Sequence, residues 1–312
     1  MTTAHADRHA TCYALVPCAG TGTRAGTAGP KQYIVIAGRS VVAHILAVLQ
    51  SVPRVAATLV VLAPHDTQFE TAAPGFAGER GWGERCGGAS RAASVAAGLD
   101  ALAARGAQPQ DWILVHDAAR CLLRADAVER LIDACAADAV GGLLALPLAD
   151  TLKQAGTGDR VGATLERRGK WTAQTPQMFR LGLLRAALAR AGTDVTDEAG
   201  AVEALGHAPL LVRGEPDNFK LTWPADFALA ERLLQHNANP GVMGMGLRIG
   251  EGWDTHALVA ERPLVLGGVT IPLVQDGVFE RMLVAPPPVW SGARGVLDAS
   301  GRARAILVLP AG

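Results

Sequence analysis

Short apolar runs alternate along the chain with longer segments in which apolar residues recur at helical spacing. Cys12 to Pro17 (CYALVP) is a continuous apolar run that ends in a glycine-rich loop, the pattern of a strand buried on both faces of a parallel sheet. Ser40 precedes VVAHILAVLQ, and a hydroxyl just ahead of a periodic apolar segment predicts a capped amphipathic helix. Thr58 to Ala63 reads as a second strand, Ser90 to Ala104 as an alanine-rich helix, and Trp112 to His116 (WILVH) as a third strand ending at Asp117. A helix at Ala125 to Ala136, a strand at Gly142 to Leu146, and helices at Leu181 to Ala191 and Pro224 to His236 complete the pattern. Strands alternating with helices predict an α/β fold with a doubly wound, mostly parallel sheet. Ligands of such sheets sit beyond the carboxyl ends of the strands, which singles out the loop after Pro17 and Asp117 together.

Two segments break the alternation. Leu148 to Gln177 is polar and interrupted by glycines, which predicts a projecting β-arm over residues 148–177. Such an arm finds another surface, and a second subunit is the simplest candidate. Asn237 to Gly246 (NANPGVMGMG) has the glycine and proline content of a linker. We therefore expect a first domain over 1–236, a linker over 237–246, and a remainder, 247–312, too short to be an independent domain of the kind described below.

Composition narrows the partners. Lysine plus arginine equals aspartate plus glutamate at 29 each, so nothing in the overall charge suggests a nucleic acid or an anionic membrane, and phosphate recognition has to be local. Five cysteines without a CxxC pair fit reduced thiols. No apolar run approaches the roughly 18 residues that span a bilayer, and MTTAHADRHA lacks a signal peptide's apolar core. The expectation is a cytoplasmic protein.

The loop PCAGTGTRAGTAGPKQY (Pro17 to Tyr33) is where phosphate chemistry is indicated. A dinucleotide-binding loop needs a helix directly after its glycines, but Gly26, Gly29 and Pro30 interrupt one. A P-loop needs Gly-Lys followed by Ser or Thr, whereas Lys31 sits between Pro30 and Gln32. What remains is a loop that wraps a triphosphate, with backbone N–H groups approaching anionic oxygens and Arg24 and Lys31 adding charge.

At this point the residues resemble a family. P-x-A-G-x-G-x-R followed by P-K-Q-Y is similar to the nucleotidylyltransferases, and within them to 2-C-methyl-D-erythritol 4-phosphate cytidylyltransferases. The resemblance continues through GGASRAAS (Gly87 to Ser94), VHDAAR (Val115 to Arg120), DTLK (Asp150 to Lys153), Thr175-Pro176-Gln177, TDEA (Thr196 to Ala199) and DNFK (Asp217 to Lys220), in the family's order and spacing. It implies a nucleotidyltransferase-type Rossmann-like fold and transfer of CMP from CTP to 2-C-methyl-D-erythritol 4-phosphate, with release of pyrophosphate. By the resemblance, Arg24, Lys31 and Lys220 supply catalytic charge, and Cys18, Ala19, Gly20, Gly22, Gly88, Ala89, Ser94 and Ala118 hold the nucleotide. Thr151, Arg167, Thr175 and Thr196 would bind the sugar-alcohol phosphate, and Asp117 would hold Mg2+ as the cofactor. Because the arm projects, the resemblance implies that Arg167 reaches the neighbouring subunit's site, and a homodimer is expected. Cys121 and Ala89 depart from the family's usual proline and acidic residue. His116, Trp171 and Phe179 read as structural, because an already ionised phosphate nucleophile needs no base.

A second resemblance lies in Gly246 to Pro272, where R-I-G-x-G-x-D-x-H and L-G-G-V-x-I-P are similar to the opening of 2-C-methyl-D-erythritol 2,4-cyclodiphosphate synthases. There the aspartate and histidine, here Asp254 and His256, bind zinc. Catalytic zinc takes about three protein ligands, no histidine follows Pro272, and the expectation is a truncated, frameshifted remnant without a working zinc site. Two rival readings stay open beside the main one: another sugar- or cofactor-phosphate nucleotidylyltransferase, and a bifunctional enzyme whose second half is broken.

Overall fold

The computed structural model describes residues 10–20, 29–191 and 195–238, together with the backbone of four short strands at 264–266, 269–271, 294–297 and 303–307. The chain divides into two units, Met1–Asn239 and Pro240–Gly312, with the division inside the glycine and proline run. In the second unit, Leu264–Leu266 pairs with Val269–Ile271 and Arg294–Leu297 with Ala303–Leu307, both antiparallel. Asp254 and His256 lie outside the described residues.

The first unit opens with β1 (Cys12–Pro17), a short hairpin of β2 (Val35–Ile36) and β3 (Arg39–Ser40), and α1 (Val41–Ser51). Ser40 caps α1, its side chain accepting the Ala43 N–H, and Val41, Val42, Ile45, Leu46 and Leu49 bury the helix's inner face. Then come β4 (Val55–Val61), α2 (Phe69–Ala72), β5 (Gly81–Glu84), α3 (Arg91–Ala104), β6 (Trp112–Val115), α4 (Ala125–Ala136) and β7 (Gly141–Pro147). The arm follows as β8 (Leu152–Ala155) and β9 (Val161–Leu165), and the unit closes with β10 (Trp171–Arg180), α5 (Leu181–Ala191), α6 (Glu198–Glu203), β11 (Leu210–Arg213) and α7 (Pro224–Ala238).

Seven strands form one sheet in the order β11-β7-β10-β6-β1-β4-β5, in which β10 alone runs antiparallel to its neighbours. Successive side chains of a strand face opposite sides, so Ala14 and Val16 join the core on one face while Leu15 joins the other. The first core also takes Ile45 of α1 and Leu131 of α4; the second takes Val95 and Leu99 of α3 with Leu184 of α5. Each such buried aliphatic side chain contributes about 1.5–3 kcal/mol relative to exposure. The doubly wound, mostly parallel sheet is as the apolar pattern predicts.

The arm is shorter than its sequence suggests. β8 and β9 form the projecting hairpin, but the segment ending at Gln177 belongs half to the sheet, since β10 turns inward and Gln174, Thr175 and Gln177 are buried. Polar residues here do not mean exposure, because their side chains bond to other parts of the core. Gln177 is an example: its amide donates to Asp197 and accepts the Ala199 N–H. Of the two aromatic residues read as packing groups, Phe179 is fully buried while Trp171 is more than a third exposed.

His116 is structural, as expected. It is fully buried just beyond β6, with Nδ1 3.0 Å from the Thr175 hydroxyl of β10 and Nε2 3.1 Å from the Arg120 carbonyl. Burial pushes its pKa down to about 4. The unfolded imidazole titrates near 6.5, so this contribution is fully present above that pH and is lost as pH falls toward 4. Glu198, whose carboxyl burial raises, works in the opposite sense as pH falls. We expect urea unfolding to lose about 2 kcal/mol from His116 between pH 7.5 and 5, and a His116→Gln variant to show a correspondingly flatter profile.

At the start of β7, Gly141 has φ +113°, and a Cβ there would collide with the Met178 carbonyl oxygen of β10. Gly141→Ala is therefore expected to cost about 2 kcal/mol or more, read as a lowered urea midpoint at unchanged slope.

Candidate active site

β1 and β6 are adjacent and parallel, with Leu15 opposite Val115. Both chains leave the sheet at the same edge, and the His116 N–H donates to the Leu15 carbonyl at 2.9 Å. The loop after Pro17 and Asp117 therefore emerge side by side where the strand order reverses, the usual ligand position of an open α/β sheet. A cavity of about 430 Å³ opens there.

Its lining brings together most of the residues expected from sequence: Cys18, Ala19 and Gly20 from the β1 loop, Lys31 from the Pro-Lys-Gln turn, Gly88, Ala89 and Ser94 around the start of α3, Asp117 and Ala118 after β6, and Lys220. Gly22 and Arg24 lie outside the described residues. Thr151, Arg167 and Thr196 do not line the cavity, and all three are exposed. Arg167 instead belongs to a separate hollow of about 440 Å³ at the base of the arm, with Glu166, Arg168 and Lys170, where its guanidinium bonds the Ala149 carbonyl. Thr175 is absent from the lining as well: it is 3% exposed, and its hydroxyl accepts the Asp117 N–H at 3.0 Å. Within the chain its hydroxyl serves Asp117 and His116.

Local sequence explains the cavity's walls. Lys31–Tyr33 is a single helical turn, and the buried Gln32 amide donates to the Cys18 and Gly20 carbonyls, each at 3.0 Å. That side chain fastens the turn carrying Lys31 to the glycine loop. Gly87 follows β5 and touches the β1 loop so closely that a Cβ would meet the Leu62 carbonyl oxygen at 2.6 Å and the Ala19 methyl. Gly88 donates its N–H to the Ser94 hydroxyl at 3.1 Å, and that hydroxyl donates to the Ser90 carbonyl at 2.9 Å. Ser94 thus shapes the loop as well as lining the cavity. Ala89 is exposed, so its departure from the family's usual residue leaves its backbone available.

Asp117 is the electrostatic centre. Its Oδ1 accepts from Arg91 Nε at 2.8 Å, and its Oδ2 lies 2.9 Å from Lys220 Nζ and 3.6 Å from Arg120 Nε. Burial would raise this carboxyl, but the charges of Arg91, Lys220 and Arg120 outweigh it and hold the group well below the usual carboxylate range. The guanidinium of Arg91 continues to Glu198, with Nη1 2.6 Å and Nη2 2.9 Å from the two carboxylate oxygens. Arg120 donates to the Asn218 carbonyl at 2.7 Å, and the Leu221 N–H donates to the Ala119 carbonyl at 2.8 Å, which seats the Lys220 segment beside Asp117. Lys31 Nζ donates to the Leu221 carbonyl at 2.7 Å, so the two lysines approach from facing segments.

Arg91, Arg120 and Glu198 were not singled out as site residues from sequence. Each nevertheless falls inside a motif that was: GGASRAAS, VHDAAR and TDEA. Cys121 is buried and its thiol is pushed up to about 12 by burial, so this departure leaves an inert packing group.

Among the described residues the arrangement gathers two lysines and a fixed carboxylate around one cavity, which suits electrostatic handling of a phosphate. Comparison with known proteins agrees. The sequence profile of 2-C-methyl-D-erythritol 4-phosphate cytidylyltransferases matches residues 12–236. A protein of that name from Paraburkholderia phymatum is 52% identical over 231 residues, covering 72% of this chain and 97% of the relative. A bifunctional enzyme IspD/IspF from Albidiferax ferrireducens is 56% identical over 273 residues, covering 84% of this chain and 65% of that protein, so this chain spans under two thirds of its length. Because 84% of 312 residues is about 262, more than the 236 that end the profile match, this similarity runs into the C-terminal unit. A crystal structure of 4-diphosphocytidyl-2C-methyl-D-erythritol synthase superposes with a TM-score of 0.64 at 42% identity, covering 72% of this chain and 98% of that one. With a profile match across the whole described sheet and a site built from the same motifs, the chain belongs to the 2-C-methyl-D-erythritol 4-phosphate cytidylyltransferase family.

Proposed function

We propose that this chain joins the phosphate of 2-C-methyl-D-erythritol 4-phosphate to the cytidylyl group of CTP and releases pyrophosphate. The observation that carries the reading is the convergence of Lys31 and Lys220, far apart in sequence, on the cavity that holds Asp117. A phosphate oxygen of the acceptor attacks the α-phosphorus of CTP, a new P–O bond forms, and the bond to the bridging oxygen breaks so that pyrophosphate leaves with the electron pair. The acceptor is already an anion, so the protein's part is to bring two anionic reactants together and spread positive charge over the crowded phosphorus. Lys31 and Lys220 do this together, their segments joined by the Lys31–Leu221 hydrogen bond, with Arg24 as the third cation by the family pattern. The loop of Cys18, Ala19 and Gly20 faces the nucleotide with backbone groups, and Gly88, Ala89, Ser94 and Ala118 form the opposite wall.

Mg2+ fits this donor set as a substrate-borne ion. Among the described residues no three His, Cys, Asp or Glu side chains cluster around a common point, and the cavity offers the single carboxylate of Asp117. A lone carboxylate combined with substrate phosphates is a usual way for this cation to be held. When bound, the ion would neutralise phosphate charge; Asp117 and Lys220 would hold it and the nucleotide respectively.

The acceptor site would be completed by a second copy of the chain. Arg167 and Asp117 line different hollows of one chain, and Arg167 sits on an arm that carries exposed Val161, Leu165 and Trp171. In a homodimer with arm exchange, Arg167 of each subunit would meet the acceptor phosphate in the other's site, with Thr151 and Thr196 nearby. Cytoplasmic location belongs to the same reading; among the described residues no helix is long and apolar enough to cross a membrane.

The test is pyrophosphate release across the four nucleoside triphosphates with and without methylerythritol phosphate: release is expected with CTP and the acceptor together, and equal rates with all four would defeat the reading. Lys31→Ala should lower kcat by about two to three orders of magnitude with the fold retained, since it removes a charge aimed at the transition state.

Mixing Lys31→Ala with Arg167→Ala protein tests the composite site. Each homodimer should be nearly inactive, while a 1:1 mixture after subunit exchange should recover about a quarter of wild-type activity, one intact site in half of the dimers. No recovery on confirmed heterodimers would place Arg167 in its own subunit's site.

A further inference from the structure

We propose that Glu198 is a positioning residue for cytidylyl transfer, acting through Arg91 to fix the orientation of Asp117. The inference rests on the functional reading above but concerns a group with no direct reach into the cavity. Glu198 is 1% exposed, and both of its oxygens are taken by Arg91, at 2.6 and 2.9 Å. A two-point contact of this kind fixes the plane of a guanidinium. The plane in turn fixes the direction of the Arg91 Nε–H, which is the group bound to Asp117 Oδ1 at 2.8 Å. One carboxylate oxygen is thereby held at the back, and the other is left toward Lys220.

The base of this relay is rigid. Glu198 opens α6, where the Asp197 side chain caps the helix by accepting the Gly200 N–H at 2.9 Å. The buried Gln177 of β10 grips the same turn from the other side, donating to Asp197 at 2.9 Å and accepting the Ala199 N–H at 2.7 Å. Burying this carboxylate is unfavourable in itself and raises its pKa despite Arg91. An apolar pair of similar volume would serve stability as well or better. What the ion pair adds is direction: without Glu198, the Arg91 fork is free to turn its Nη groups onto Asp117 or into the cavity.

Glu198→Gln keeps the shape and removes the charge. Its kcat is expected to fall about tenfold or more, with the Michaelis constants for both substrates within about threefold of wild type. In an Asp117→Asn background the same change should cause no further loss, because the end of the relay is already altered. Arg91→Lys, which keeps the charge but loses the fork, should reproduce the kcat defect and be equally non-additive with Asp117→Asn. That second cycle decides the matter should Glu198→Gln fail to fold. A 15N spectrum adds a readout independent of turnover: the Arg91 Nε–H, bonded to Asp117 at 2.8 Å, should exchange faster in Glu198→Gln than in the wild type. Full kcat in folded Glu198→Gln, or losses that multiply with Asp117→Asn, would overturn the proposal. A wild-type enzyme without CTP-dependent transfer would instead overturn the functional reading.

Discussion

A buried carboxylate at the end of β6 sets the terms for everything around it. Asp117 is 6% exposed, and a negative charge so placed is tolerable only if opposite charge and hydrogen-bond donors surround it. The fold meets this need from three directions, Arg91 at the start of α3, Arg120 three residues on and Lys220 in the segment after β11, while Thr175 of β10 fixes the backbone of Asp117 by accepting its N–H. These segments share no local sequence. Compensating one charge therefore fastens the two halves of the sheet at the edge where the nucleotide loop opens, and the same contacts that stabilise the fold assemble the site.

Much of this architecture is legible in the chain because local signals agree there. β1 is a pure apolar run, α1 combines a serine cap with helical spacing, and α4 and α5 run over the residues that their periodicity marks. Other elements carry weak signals for identifiable reasons. β5 contains Gly81 and Gly83, which dilute its strand character because neighbouring aromatic and aliphatic side chains fill the space of a Cβ. α6 is six residues long, less than two turns, and is held by its cap and by Gln177 instead of by an apolar stripe. The inward half of β10 reads as polar arm, since its glutamines and threonine bond to distant partners that no window of sequence contains.

The site divides along the same line. Lys31, Lys220 and Asp117 stand in ordered motifs, and the resemblance those motifs carry marks them individually. Glu198 and Arg91 belong to motifs too, but their significance is a pairing across 107 residues, and a pairing is not a property of either motif. Thr175 illustrates the converse. Its motif suggests a ligand contact, whereas in the folded chain its hydroxyl is committed to Asp117 and His116.

Among the described residues, Asp117, Lys220 and Lys31 at the cavity all have partners within the chain, which bears on how phosphates would be met there. Lys220 neutralises Asp117, and Lys31 rests on the Leu221 carbonyl. A triphosphate brings several negative charges into a region of low local dielectric, where each cation gains more from a phosphate oxygen than from a neutral carbonyl. Lys31 can exchange the Leu221 carbonyl for such an oxygen. If Lys220 leaves Asp117, the carboxylate keeps Arg91 at 2.8 Å and Arg120 at 3.6 Å, but Oδ2 loses its nearest cation. Arg91 meets Asp117 only through Nε and Oδ1, while one N–H of each Nη is engaged by Glu198. Under the proposed function, release of Lys220 toward the nucleotide would therefore open Asp117 Oδ2 to an arriving positive charge.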